Sequence, residues 1–140
     1  MNLIYLLHFC LCLVMLGVIW VIQIVHYPSF RFAKLGPFRD FTSFHVKAIS
    51  SIVIPLMTIE LLSGSFLAYK SPRPLILLNF TLILLTWLST FILSVPLHNK
   101  LSQDFDLKNI EKLVLTNWPR TLMWTIRSVI LISLFYEFEG

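Results

Sequence analysis

Charged residues are scarce in this chain of 140 residues, since Asp, Glu, Lys and Arg together make up 13% of it. A soluble domain carries roughly 25% of such residues, so the composition does not fit an ordinary water-soluble protein. Hydrophobic residues make up 57% of the chain. We therefore predict an integral membrane protein with a single domain, residues 1–140.

Cysteine and the common catalytic motifs are also rare or missing. Cys10 and Cys12 lie two positions apart in an apolar run, where helical side chains point in different directions, so they do not indicate a disulfide framework or a zinc site. The sequence has no Gly-rich phosphate loop, no HExxH, no CxxC and no Ser-His-Asp signature. The usual soluble-enzyme classes are not indicated, and no cofactor can be assigned.

The sequence has instead four long apolar runs. A membrane-spanning helix needs about 20 predominantly apolar residues, and separate spans must be helical because lipid leaves backbone groups without partners. The four runs that meet this requirement are residues 3–25, 48–69, 75–97 and 117–136. We predict an all-α fold, a transmembrane four-helix bundle in contact with the lipid bilayer.

The two long connections between these spans have a periodic pattern of their own. Phe38, Phe41 and Phe44 recur every three residues in the first connection, and Leu107 and Ile110 alternate with charged residues in the second. Such patterns are typical of short amphipathic helices on a membrane surface. We predict one interfacial helix in each of the two connections.

The basic residues are distributed unevenly between the two predicted sides of the membrane. The tight turn between the second and third spans has two of them, Lys70 and Arg73. The long connections and the start of the fourth span have eight: Arg31, Lys34, Arg39, Lys47, Lys100, Lys108, Lys112 and Arg120. The positive-inside rule places both long connections in the cytoplasm and both termini outside. Topology thus explains the net charge of +4, and nucleic-acid binding is not indicated.

Two charged residues lie in the middle of apolar runs, Glu60 in the second and Arg127 in the fourth. A mid-bilayer charge costs about 3 kcal/mol on insertion scales, so it normally faces a partner or a wet cavity. Arg127 shares one helix face with Asn117, Arg120 and Trp124, which are spaced three or four residues apart. We predict that Arg127 faces Glu60. The pair either fixes helix register only or belongs to a functional polar cavity.

Three of the four histidines lie at the predicted cytoplasmic ends of spans: His26, His45 and His98. Gln23 is one helical turn from His26 on the same face. Imidazoles bind metals and transfer protons near neutral pH, although histidines at a headgroup boundary can also bind nothing. No two of them form an i, i+4 pair, so no single helix has a metal motif. His8, alone in the first span, is predicted to be structural.

Several short motifs carry a family resemblance. They are Val25-His26-Tyr27-Pro28, the segment Pro55 to Glu60, Val95-Pro96-Leu97-His98-Asn99, and Asn117-Trp118 with Arg120, Trp124 and Arg127. These motifs resemble a family of small uncharacterised bacterial four-helix membrane proteins. The layout is similar, more distantly, to the anthrone-oxygenase-like membrane proteins, in which an Asn typically follows the Val-Pro of the third span. Here that Asn is displaced to Asn99. The resemblance implies a bacterial inner-membrane protein and an oxygenase-type activity on a polycyclic aromatic.

These patterns together predict a polar site in the cytoplasmic half of the bundle. The candidate catalytic residues are His26, His45, His98, Glu60 and Arg127, and the three histidines are also the candidate ligands of any metal. The candidate substrate-binding residues are Gln23, Asn117, Arg120 and Trp124.

Three functions remain open for this site. The first is a redox or oxygenase-type enzyme acting on a lipophilic substrate. The second is a non-enzymatic module that binds or transports a small anion or metal ion, for which a homo-oligomer would be needed to form a conduit. The third is a structural membrane protein.

Overall fold

The computed structural model describes residues 3–35 and 37–139 and is almost entirely helical, which confirms the predicted all-α class. Its α-helices are α1 (Leu3–Val21), α2 (Tyr27–Ser29), α3 (Phe38–Lys70), α4 (Pro74–Ser89), α5 (Val95–Leu101) and α6 (Leu107–Glu139). Two segments are π-helical, Ile22–His26 and Thr90–Ser94, and one is a 3-10 helix, Phe30–Leu35.

Three helical rods are long and apolar enough to cross a membrane: Leu3–Ala33, Phe38–Lys70 and Pro74–Leu101. They contain the first three predicted spans. The fourth rod, α6, has 33 residues and is not one of these three. The rods pack side by side, with α1 against α3 and α6, and α4 against the same two helices.

The segments predicted as interfacial helices are the first turns of longer helices. α3 begins at Phe38 and continues unbroken through Lys70, and Phe38 is buried against Phe30 and Phe105 rather than turned outward. α6 begins directly after Asp106, whose Oδ1 accepts a hydrogen bond from the Lys108 backbone N–H at 2.9 Å, as an N-cap does. Phe38 therefore packs against the chain itself, whereas Phe44 is 73% exposed, so only part of the aromatic pattern marks such packing.

The two π-helical segments each end shortly before a proline. The N–H of Tyr27 bonds the carbonyl of Ile22, five residues earlier, and the N–H of Val95 bonds that of Thr90. A proline follows each of these residues and has no N–H to continue the α-helical ladder. One wider turn accommodates this loss, and such turns are frequent at functional sites. Here both turns lie at the end of the rods that holds His26 and His98.

Candidate functional site

Glu60 and Arg127 form a buried ion pair between α3 and α6. Arg127 Nη2 lies 2.8 Å from Glu60 Oε1, Nη1 lies 3.4 Å from Oε2, and the two side chains are 0% and 1% exposed. The indole N–H of Trp124 donates to the same Oε2 at 3.3 Å. The pairing predicted from the depth of the two residues is therefore present, and both carboxylate oxygens are engaged.

Asn79 on α4 extends this pair to α1. Its Oδ1 accepts a hydrogen bond from Arg127 Nε at 3.2 Å, and its Nδ2 donates to His8 Nε2 at 2.9 Å. His8 Nδ1 is 2.8 Å from the hydroxyl of Ser63, and that hydroxyl is 2.7 Å from the carbonyl of Ile59. Because Ser63 donates its single proton to the carbonyl, His8 Nδ1 must be the donor to Ser63.

The network of Glu60, Arg127, Asn79, His8 and Ser63 thus joins four rods with donors matched to acceptors. A fully satisfied buried network rigidifies a bundle and fixes its register. The structural role predicted for His8 is consistent with this network. Sequence analysis missed Asn79 and Ser63, although Asn79 is the one amide side chain in the apolar run 75–97, and a polar residue at such a position is itself a signal.

A second polar cluster lies where α6 passes the π-helical segment Ile22–His26. Gln23 Oε1 accepts from Asn117 Nδ2 at 2.9 Å and from the Thr121 hydroxyl at 3.2 Å. Asn117 Oδ1 accepts from Arg120 Nη2, which also points at the hydroxyl of Tyr27 at 3.5 Å. Gln23 therefore fixes the position of Asn117, and Asn117 fixes the position of the Arg120 guanidinium.

The three histidines predicted to share one depth do lie together beside this cluster. His26 Nε2 is 2.6 Å from His45 Nδ1, and the ring centroids of His45 and His98 are 5.5 Å apart. Tyr27 OH is 3.0 Å from His98 Nε2. The first distance is a hydrogen bond and leaves no room for a metal ion, whose bonds to imidazole nitrogens are about 2.0–2.1 Å each. The described part of the chain contains no group of three or more His, Cys, Asp or Glu side chains that could hold a metal.

A cavity of about 280 Å³, the ligand cavity, is enclosed by side chains from all four rods. Its volume is near the lower end of small-molecule pockets, which begin at about 300 Å³. Most of its wall is apolar, with Met15, Ile19 and Met57 at one side and Trp124 at another. Its polar wall residues include Tyr27, Thr90, Ser94, His98 and Arg120. An apolar chamber with one polar wall suits a lipophilic molecule with one polar group.

Arg120 is the unusual residue of this wall. Its side chain is 7% exposed, yet no carboxylate pairs with it among the described residues. Nη1 makes only a long contact of 3.5 Å with the Thr90 hydroxyl, and Nε has no partner. Arg127, seven residues further along the same helix, is fully paired.

Further wall residues also have buried polar atoms without a partner, namely Trp87 Nε1, Ser94 Oγ and His98 Nδ1. Arg120 can only donate to the Tyr27 oxygen, so the Tyr27 hydroxyl is free to donate to His98 Nε2, and His98 Nδ1 is then an N–H donor. Trp87 Nε1 and Arg120 Nε are donors by their chemistry. An unsatisfied buried donor costs about 1–3 kcal/mol, so this wall favours a ligand that accepts hydrogen bonds.

The predicted site residues thus divide into four groups. His98, Arg120 and Trp124 line the ligand cavity. Gln23 and Asn117 fix the position of Arg120. Glu60 and Arg127 are absent from the cavity wall, and Glu60 contacts it through Trp124. His26 and His45 line a separate apolar groove between α1 and α3. Tyr27 was missed as a site residue, although it adjoins His26 in the sequence.

Comparisons of the chain with protein-family models, with curated proteins and with solved structures found no match.

Proposed function

We propose that this protein is a multi-pass membrane protein, a transmembrane four-helix bundle whose cavity binds a lipophilic small molecule through a hydrogen-bond acceptor or an anionic group. Three rods are long and apolar enough to span a bilayer, and α6 packs against the first and third of them. The two arginines of α6 are 7% and 0% exposed, so they face the interior and not lipid. The excess of basic residues in the long connections supports a cytoplasmic location for that end.

The observation that carries the proposed binding function is the guanidinium of Arg120, which has no counterion among the described residues, in the wall of a mainly apolar cavity. A buried charge without a counterion is costly, and an anionic or carbonyl group of a ligand would supply the missing interaction. Gln23 and Asn117 already fix the position of the guanidinium, so a ligand would not need to order it. This is the preorganisation that raises affinity without new contacts.

A redox or oxygenase-type enzyme on a lipophilic substrate is the second candidate. It is favoured by the hydrogen bond between Tyr27 and His98, which puts a phenol and an imidazole side by side in the wall of the ligand cavity. Such groups can act as general acid and base on a bound molecule. The resemblance to anthrone-oxygenase-like proteins supports the same reading. Turnover of a bound probe would separate this enzyme from a binding or transport module.

Tryptophan fluorescence offers a direct test of ligand binding. Trp20 and Trp118 contact each other on the outer surface with ring centroids 5.9 Å apart, and both would report only partition of a probe into lipid or detergent. A variant with Trp20→Phe and Trp118→Phe keeps Trp87 and Trp124, which line the cavity. Titration of this variant with 2-hydroxy-1,4-naphthoquinone, a bicyclic anion at neutral pH, should quench the remaining fluorescence saturably.

Arg120→Gln in this background should weaken the quenching at least about tenfold, because a hydrogen bond to a charged group contributes about 1.5–3 kcal/mol. Arg39→Gln is the matched control, since Arg39 is an exposed arginine outside the cavity wall. Equal affinities of the two variants, with helical content unchanged by circular dichroism, would contradict the proposal. So would quenching that never saturates in the parent protein.

A further inference from the structure

A second and more open cavity of about 670 Å³, here called the vestibule, adjoins the ligand cavity. It lies between the N-terminal half of α3 and α5. The two cavities share five wall residues: Val46, Ser50, Ile54, His98 and Asn99. A molecule bound in the vestibule would therefore contact side chains that also line the ligand cavity.

The wall of the vestibule contains hydrogen-bond donors that have no partner among the described residues, and it contains no acidic side chain. Lys47, Ser43, Ser50 and Asn99 all line it, and their side chains make no hydrogen bond or ion pair with any other described residue. No Asp or Glu is part of its wall. One ammonium, two hydroxyls and one amide around a single space suit a tetrahedral anion with several acceptor oxygens, such as a phosphate.

Polarity changes along the vestibule in one direction. On α3, four of the first five wall residues are polar, with Val46 as the exception, and the apolar residues Ile54 and Pro55 follow about one turn further into the predicted span. A polar end near the membrane surface and an apolar end at greater depth match the head and the chain of a bilayer lipid. A soluble anion would use only the polar end.

We propose that the vestibule binds the phosphate head group of an anionic phospholipid of the cytoplasmic leaflet, with an acyl chain along Ile54. Basic pockets between membrane helices on this side are known to hold such head groups. The inference rests on the proposed membrane location but not on the proposed ligand of Arg120. Because the walls are shared, the bound lipid would cover the opening of the ligand cavity.

Native mass spectrometry of the full-length protein released from detergent tests this site. The protein is titrated with dioleoyl phosphatidylglycerol, with dioleoyl phosphatidylcholine, and with inorganic phosphate. We expect one phosphatidylglycerol to bind about fivefold more tightly than phosphatidylcholine, since one lysine near an anionic lipid contributes about 1 kcal/mol. Lys47→Gln should remove this preference. Lys108→Gln, an equal loss of charge at the start of α6 and outside the vestibule wall, should retain it.

Three results would overturn the proposal: equal affinity for the two lipids, equal loss of preference in both lysine variants, or displacement of phosphatidylglycerol by millimolar inorganic phosphate. The last result would assign the vestibule to a soluble anion. A double variant, Ser50→Ala with Asn99→Ala, gives a second measurement that leaves the surface charge unchanged and should also weaken phosphatidylglycerol binding. Lys47→Gln should still bind the naphthoquinone, whereas Arg120→Gln should still bind the lipid, so failure of one proposal is distinguishable from failure of the other.

Discussion

Replacing Glu60 by Gln removes the only carboxylate among the described residues that pairs with Arg127. The amide can still accept from Trp124, but the Arg127 guanidinium, fully buried, keeps its charge without a counterion. Removing one partner of a buried ion pair costs about 3–5 kcal/mol. We expect Glu60→Gln to lower the free energy of unfolding by that amount, as measured by circular dichroism during titration of the micelles with SDS.

Removing both charges of the buried pair should lower the free energy of unfolding far less than Glu60→Gln does. Replacement of buried ion pairs by apolar residues of similar size is neutral or stabilising by about 1–4 kcal/mol. Glu60→Leu with Arg127→Met would leave two groups without partners, Trp124 Nε1 and Asn79 Oδ1, each costing about 1–3 kcal/mol. These terms nearly cancel, so the double variant should be more stable than Glu60→Gln alone. A double variant less stable than the single one would refute this reasoning.

The exposed pair between Arg31 and Glu111 provides the control for a general effect of charge removal. Arg31 Nε and Glu111 Oε1 lie 2.6 Å apart, closer than the 2.8 Å of the buried pair, but the side chains are 38% and 51% exposed. Solvent-exposed pairs contribute about 0–1 kcal/mol. Glu111→Gln should therefore change stability by less than about 1 kcal/mol. A loss as large as that of Glu60→Gln would show that burial is not the cause.

Two further predictions concern packing and topology. A Cβ at Gly64 would lie 2.6 Å from Ile83 Cδ1 and 3.2 Å from His8 Cε1, so Gly64→Ala should cost about 1–3 kcal/mol in thermal unfolding. Gly17→Ala, whose Cβ would meet nothing within 4 Å, should be neutral or slightly stabilising, and equal effects of the two would contradict the close approach of the helices at Gly64. Reporter fusions to the C-terminus should be active only outside the cytoplasm, and a cytoplasmic signal would contradict the predicted orientation.

Helix positions followed from the sequence because four apolar runs of span length leave few alternatives. The pairing of Arg127 with Glu60 also followed, since each charge needs a partner at its own depth. The full lengths of α3 and α6 could not be predicted from the sequence. The phenylalanines near Phe38 have the same period whether they face lipid or the chain's own core, and periodicity alone cannot distinguish the two.

The division of the polar residues into a closed network and a cavity wall could not be read from the sequence. Arg120 and Arg127 lie on one helix face with equal chemistry, and only the positions of neighbouring helices decide which of them has a counterion. The π-helical turn at Ile22–His26 adds a further shift, because an extra residue in a turn rotates Tyr27 relative to the α-helical pattern. Tyr27 was missed for this reason, whereas Asn79 could have been identified as a polar residue in an apolar run.

We propose that Arg120 binds a ligand, whereas Arg127 only stabilises the helix bundle. The most direct test of this proposal is mass spectrometry of small molecules extracted from purified protein: the parent chain, Arg120→Gln, and the double variant Glu60→Leu with Arg127→Met. We expect a lipophilic molecule with a carbonyl or acidic group in the parent and in the double variant, and its loss from Arg120→Gln. A molecule retained by Arg120→Gln but lost from the folded double variant would contradict it.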